Sequence, residues 1–179
     1  VKQGRPGMQN TRSFAITLSP ELGHDTARIG EDLVEYLNEF DENAAGYWAV
    51  FDAEALRQIE KRGGVDHLPN WVKHPSGLFQ RHSNTRGHQA LVRGMASLGT
   101  VVLVENQAYL TTQAVPRVFH TRLTHPTNRV PEEDARPFHL LVNMGRFGPE
   151  SMVSIIGDSA LEWASRGHDP MDRVVEFSR

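Results

Sequence analysis

This chain of 179 residues lacks cysteine, long apolar runs and the common nucleotide-binding signatures. The absence of cysteine excludes disulfides, thiolate metal sites and cysteine nucleophiles. Near-apolar runs such as residues 100–104 and 140–142 fall far short of the roughly 20 residues that cross a bilayer as a helix. The motifs GxxxxGK[S/T], GxGxxG, HExxH and GxSxG are also missing. Their absence argues against P-loop nucleotide hydrolysis, dinucleotide binding, zinc proteolysis and α/β-hydrolase chemistry.

The composition predicts one globular domain preceded by an arm. Hydrophobic residues make up 39% of the chain and charged residues 23%, which is typical of a folded domain rather than a disordered segment. Residues 1–12 are rich in Gly, Gln and Arg without apolar periodicity, so we expect a flexible arm there and a single domain over residues 13–179. Because no apolar stretch follows the basic first residues, we expect no signal peptide and a cytoplasmic protein of bacterial or phage-like origin.

Charge is distributed unevenly along the middle of the chain. Residues 21–60 contain eleven Asp/Glu and two Arg, whereas residues 61–93 contain six Lys/Arg, one Asp and four His. The formal charges of the two segments are therefore −9 and +5, compared with −3 for the whole chain. Such asymmetry between neighbouring segments points to an anionic ligand for residues 61–93, hereafter called the basic segment.

The order of predicted elements is a strand, a set of helices, a group of strands and a final set of helices. Residues 25–40 carry an apolar helical stripe, and the nearly all-β-branched residues 100–104 predict a central strand covered on both faces. We expect residues 107–112 to pair with that strand, because no crossover helix is evident between positions 100 and 143. These features predict an α+β fold, with a four- or five-stranded mixed, mostly antiparallel sheet and helices packed on one face.

The basic segment is the first candidate site, because it interleaves cationic groups with aromatic side chains. Arg presents a planar fork of donors that suits phosphate, and aromatic rings stack on the bases of single-stranded nucleic acid. The predicted phosphate- or nucleic-acid-binding residues are Lys61, Arg62, Trp71, Lys73, Phe79, Arg81, Arg86, His88 and Arg93. The competing interpretation is that Trp71 and Phe79 anchor a long loop to the core, while the basic groups offset the charge of the acidic helix.

His120, Arg122 and His139 form the second candidate, a catalytic set on two predicted strands. If the two strands are neighbours, the two imidazoles meet across the sheet and divide the base and acid roles of metal-free phosphodiester cleavage. Arg122, together with Arg81, then stabilises charge on the phosphate oxygens in the transition state. A solvated polar face of the sheet is the alternative for these strands.

Two weaker patterns concern metal ions. A set of imidazoles and carboxylates that suits a transition metal consists of His120 and His125 with Glu132 or Asp134. Asp52 and Glu105 each follow an apolar strand, and carboxylates at such positions bind Mg²⁺ in many nucleases. Asp52 as a helix cap and Glu105 as a turn residue explain the second pattern more simply. We therefore predict no metal site and no cofactor.

These features predict a protein that binds a phosphate-bearing anionic partner, RNA or DNA, through the basic segment. Metal-free phosphodiester cleavage extends this prediction if the histidines are catalytic. The alternative is a non-enzymatic assembly or adaptor protein, such as a phage, secretion or toxin–immunity component. In that case the acidic helix of one copy meets the basic segment of another. The predicted partners are thus nucleic acid or a second copy of the chain, and not a membrane.

Overall fold

The computed structural model describes residues 13–20, 26–62, 85–105, 108–125 and 131–166, without the side chains of residues 85, 86, 132 and 134. The strands in these ranges are β1 (Ala15–Ser19), β2 (Ala49–Asp52), β3 (Val101–Val104), β4 (Val118–Thr124) and β5 (Leu140–Asn143). The helices are α1 (Thr26–Phe40), α2 (Ala53–Lys61), α3 (Thr85–Leu98), α4 (Ala108–Thr112), α5 (Glu132–Ala135) and α6 (Pro149–Ser165). None of these described helices combines the length and the apolarity needed to cross a membrane.

All neighbouring strands pair in parallel, in the order β2-β3-β1-β4-β5. The central strand is β1, whose Ile16 is paired with Val102 of β3 on one side and with Phe119 of β4 on the other. The prediction of a mostly antiparallel sheet is therefore wrong. Its cause is the stretch after β3: residues 108–112, expected to form a strand, form α4 instead. This short helix lies on the crossover that carries the chain from β3, past β1, to β4.

Helices cover both faces of the sheet, so the prediction of helices on one face is also wrong. On the first face, α1 and α6 bury an apolar cluster that includes Leu33 and Ile156. On the second face, α2, α3 and α4 bury another cluster, which includes Leu56, Met95 and Leu103. Every residue of β3 is buried, because its side chains enter the two clusters alternately. The described residues thus form three layers, helices, sheet and helices.

The helix α1 comes closest to the sheet at Gly30. A Cβ atom added at this residue would lie 2.7 Å from Cγ2 of Val104 and 3.0 Å from Cγ2 of Val50. Contacts this short force either the valines or the helix to move, since cores are packed at crystal-like density. Gly30 therefore sets the distance between α1 and the β2–β3 half of the sheet, while Leu33 and Leu37 fill the space beside it.

A hydrogen bond and a ring contact join α1 to α6. The hydroxyl of Tyr36 donates to Oδ1 of Asp158 at 2.6 Å. Its ring lies against Gly157, where an added Cβ would come within 2.5 Å of two ring carbons. The hydrogen bond to Asp158 raises the pKa of Tyr36 to about 12, aided by partial burial and by the negative charges of Asp158 and Glu39.

We expect Gly30→Ala to lower the free energy of unfolding by about 1–2 kcal/mol. The clash with Val104 outweighs the gain of roughly 1 kcal/mol that alanine brings to a helix interior. Gly46→Ala is the matched control, because an added Cβ at that exposed glycine meets nothing within 4 Å. Urea unfolding of both variants measures the difference. Equal midpoints for the two variants would contradict the close approach of α1 to the sheet.

We expect Tyr36→Phe to lower stability by about 0.5 kcal/mol near neutral pH, since the lost hydrogen bond is partly exposed. The raised pKa means that the folded protein holds the phenolic proton more tightly than the unfolded chain does. This stabilisation is therefore complete below the ordinary value of 10.0 and is lost as the pH rises toward about 12. The difference in unfolding free energy between wild type and variant, followed from neutral to alkaline pH, should shrink accordingly. Tyr47→Phe, at an exposed phenol, should give no such change.

Candidate functional site

The carboxyl ends of the five strands form one edge of the sheet, with β1 at a topological switch point. The chain leaves β1 through α1 on the first face, whereas it leaves the neighbouring β3 through α4 on the second face. Because the two connections diverge, a crevice opens at the carboxyl end of β1. Ligands of open α/β sheets bind in crevices of this kind.

Ser19 ends β1 in an environment that is costly for a hydroxyl. The residue is only 4% exposed, and its Oγ has no hydrogen-bond partner among the described residues. Leaving a buried hydroxyl unpaired costs about 1–3 kcal/mol. Thr121 has the second such atom, but it lies within β4, where its side chain points toward the first-face cluster rather than the edge. Of the residues that the structure describes, Ser19 alone combines an unsatisfied hydroxyl with a position at the switch point.

Arg122 lies beside Ser19 on the adjacent strand. The register pairs the Cα atoms of Ser19 and Arg122, so both side chains leave the sheet on the second face. The guanidinium of Arg122 lies over the ring of Phe138, 5.7 Å from its centroid. No carboxylate in the described ranges forms an ion pair with it. The two side chains together offer donors to an anion at the switch point.

Glu105 follows β3 at the carboxyl edge of the sheet, and its carboxylate contacts the imidazole of His88. Glu105 comes one residue after Val104, which is paired with Leu18 of β1. Its Oε1 lies 3.0 Å from Nε2 of His88, and Nδ1 of the same ring lies 3.4 Å from Oε2 of Glu60. His88 therefore links α3 to the end of α2 and the end of β3.

The predicted residues of the basic segment are only partly described. Lys61 and Arg62 are exposed at the end of α2, and His88 lies between its two carboxylates. Nε of Arg93 donates to the carbonyl of Thr111 in α4 at 2.9 Å. Arg86 belongs to α3, and its side chain lies outside the described part, as do Trp71, Lys73, Phe79 and Arg81. A continuous phosphate-binding surface along this segment stays a prediction.

The structure brings His120 and His139 together, with ring centroids 5.4 Å apart. Both rings are built into the packing. His120 is 2% exposed, and its Nδ1 lies 2.8 Å from Oγ1 of Thr17. Nδ1 of His139 accepts the backbone N–H of His120 at 2.9 Å, and its ring contacts those of Phe119 and Trp163. The proton-transfer role stays a prediction, which the burial of His120 does not favour.

Asp52 and Glu105 lie at the ends of the neighbouring strands β2 and β3, but each is engaged by another group. Asp52 caps α2, since its Oδ1 accepts the N–H of Ala55 at 2.7 Å. Glu105 is engaged by His88, as described above, and His125 lies half-buried just beyond β4. Within the described ranges, no group of three or more His, Asp or Glu side chains is arranged to hold a metal. The side chains of residues 132 and 134 lie outside those ranges.

Sequence reasoning placed Arg122 in a candidate site but missed Ser19. The available signal was the succession of an apolar strand, the breakers Pro20 and Gly23, and an amphipathic helix. In a parallel sheet that succession places the end of the strand and the start of the helix beside a ligand crevice. The antiparallel interpretation concealed it.

Neither a known protein family nor a curated protein matches the sequence. The fold is similar to that of an uncharacterized protein from Eubacterium ventriosum, with a TM-score of 0.55 and 13% identity over 87% of this chain and 99% of that chain. A hexameric APS kinase from Thiobacillus denitrificans gives a TM-score of 0.49 and 12% identity over 87% of this chain and 30% of that chain. At such identities the first likeness shows the fold alone, a parallel sheet with helices.

We expect His120→Leu to lower the free energy of unfolding by about 2–3 kcal/mol, because Oγ1 of Thr17 is then left buried without this partner. Thr17→Val combined with His120→Leu removes both ends of the hydrogen bond. The double variant should therefore be at least about 1 kcal/mol more stable than the sum of the single losses predicts. A double-mutant cycle by urea unfolding measures this coupling. Strictly additive losses would contradict a direct hydrogen bond.

Proposed function

We propose that this protein binds a phosphate-bearing ligand, a nucleotide or the phosphorylated end of a nucleic acid, at the carboxyl end of β1. The observation that carries the proposal is the pair formed by Ser19, buried with an unpaired hydroxyl, and Arg122, half-buried beside it without a described carboxylate. An anion bound at this edge would accept a hydrogen bond from the Ser19 hydroxyl and pair with the guanidinium of Arg122. No chemical step is assigned to the site.

Phosphate fits the two groups better than other anions do. A serine hydroxyl donates one hydrogen bond to a phosphate oxygen, and a guanidinium donates two in the parallel geometry that phosphate accepts. Charge-assisted hydrogen bonds of this type contribute about 1.5–3 kcal/mol each. The ring of Phe138 under the guanidinium fixes its plane, so less side-chain entropy is lost on binding.

The first turn of α1 adds a further attraction for negative charge. The helix is 15 residues long and begins at Thr26, the seventh residue after β1. Its first backbone N–H groups have no acceptor within the helix, and its dipole places positive potential at this end. Oxygen atoms of phosphate groups are commonly bound at such helix starts. This attraction is secondary to the Ser19–Arg122 pair.

We expect the positive charge of the basic segment to add to the attraction for anions. Glu60 at the end of α2 and His88 in α3 both lie near Glu105, so the described residues on either side of positions 63–84 meet at the carboxyl edge. The six Lys/Arg of the segment raise the local concentration of anions near that edge. Binding should accordingly weaken as salt screens the charges.

We expect Arg122→Gln to weaken binding at least tenfold, since one lost charge-assisted contact of about 1.4 kcal/mol corresponds to a factor of ten. Ser19→Ala should weaken binding by roughly threefold to tenfold and yet raise the unfolding free energy by about 1 kcal/mol, because an unpaired buried hydroxyl is removed. Thr121→Val is the control: it removes the other unpaired hydroxyl and should stabilise the fold without changing affinity.

Calorimetry with ATP, and with an oligonucleotide bearing either a 5′-phosphate or a 5′-hydroxyl, distinguishes the two sources of phosphate. Preference for ATP identifies a nucleotide, and preference for the phosphorylated oligonucleotide identifies a nucleic acid end. Absence of binding to all three probes at low salt, or binding that Arg122→Gln leaves unchanged, would contradict the proposal.

A further inference from the structure

A groove runs along the first face between α1 and the turn that joins β5 to α6. Its volume is about 1070 Å³, and it lies on the other side of the sheet from the side chains of Ser19 and Arg122. Its apolar lining includes Ile29, Met144 and Phe147, and Phe147 is 45% exposed. A large aromatic side chain that is half exposed within a concave surface is typical of a contact site.

Carboxylates line this groove on both sides. Asp32, Glu35 and Glu39 line it from α1, and Glu150 lines it from the first turn of α6. None of the four forms an ion pair within the described ranges. Glu150 has a local reason for its place, since a carboxylate stabilises the start of a helix.

The three carboxylates of α1 repel one another. They are three and four residues apart along the helix, and like charges at these spacings destabilise a helix by a few tenths of a kcal/mol per pair. The basic groups of the lining, Arg28 and His125, lie near the start of α1 and the end of β4, at one end of the groove. Away from that end, the groove has apolar residues at its base and carboxylates on both sides.

We propose that this groove binds the basic segment of a second copy of the chain. The segment carries six Lys/Arg among the apolar and aromatic side chains of Trp71, Leu78 and Phe79, which is the composition that an apolar groove with acidic walls selects. The described residues that flank positions 63–84 belong to α2 and α3, which pack on the second face, opposite the groove. We therefore assign the groove to the basic segment of another copy, since a molecule's own segment would have to pass around the edge of its sheet.

The exchange can be reciprocal, because Glu60 and His88, which flank positions 63–84 of the basic segment, and the groove residue His125 all lie near the carboxyl edge of the sheet. Each copy offers one groove and one basic segment, and a two-fold axis lets both contacts form at once. The negative charge of the grooves and the positive charge of the segments are then neutralised inside the assembly. The groove includes neither Ser19 nor Arg122, so its variants test this inference separately from the phosphate site.

The test compares two variants with the same change of charge. Glu35→Lys with Glu39→Lys reverses two groove carboxylates, whereas Glu31→Lys with Glu42→Lys reverses two exposed carboxylates that do not line the groove. Sedimentation velocity of the full chain measures the dimer constant at about 50 mM and about 500 mM salt, where the Debye length falls severalfold. The wild type should form a dimer that high salt weakens at least tenfold. The dimer affinity should be at least tenfold weaker for the groove variant than for the wild type, and less than twofold weaker for the control variant.

A charge swap makes the test specific. Lys73→Glu with Arg81→Glu reverses two charges of the basic segment and should also give a monomer. Mixing this protein with the groove variant restores opposite charges at both contacts, and a heterodimer should form. A wild type that stays monomeric at low salt, a groove variant that dimerises like the control, or a mixture that stays monomeric would each overturn the inference. Circular dichroism of each variant confirms that the fold is intact.

Discussion

The parallel pairing of β1 with both β3 and β4 is the constraint on which the rest of the structure depends. Parallel neighbours need crossover connections, and these connections place helices on both faces of the sheet. The same pairing brings the carboxyl ends of all five strands to one edge and makes the chain diverge on either side of β1. Ser19 and Arg122 are neighbours there only because the two strands run in the same direction in this register.

Much of the fold was predictable from the sequence, and the error was confined to the connections. The apolar stripe of residues 25–40 and the run at 100–104 correspond to α1 and β3, and Asp52 caps α2 as the pattern indicated. Residues 108–112 were not predictable in the same way, because five residues are too few to distinguish the periods of a helix and a strand. That single assignment decides whether the sheet is read as parallel or antiparallel.

The candidate site was predictable only in part, because sequence patterns do not reveal which polar groups are satisfied. The rings of His120 and His139 lie 5.4 Å apart, but they bond to Thr17 and to the backbone, whereas no described carboxylate forms an ion pair with Arg122. The uneven charge of the chain was evident from the start. Its acidic part lines a groove on the first face. The sequence predicts which side chains of α1 point outward, but it does not show that α6 lies opposite them.

The most direct test of the account is a titration of the labelled protein with inorganic phosphate, followed by two-dimensional NMR. The account predicts that the largest shifts occur at the backbone amides of Ser19 and Thr26 and at the Nε–H of Arg122, with the groove residue Phe147 unaffected. A saturating response at these three groups, weakened by salt, supports an anion site at the switch point. Unchanged signals at Ser19 and Arg122, with shifts elsewhere or none, would contradict it.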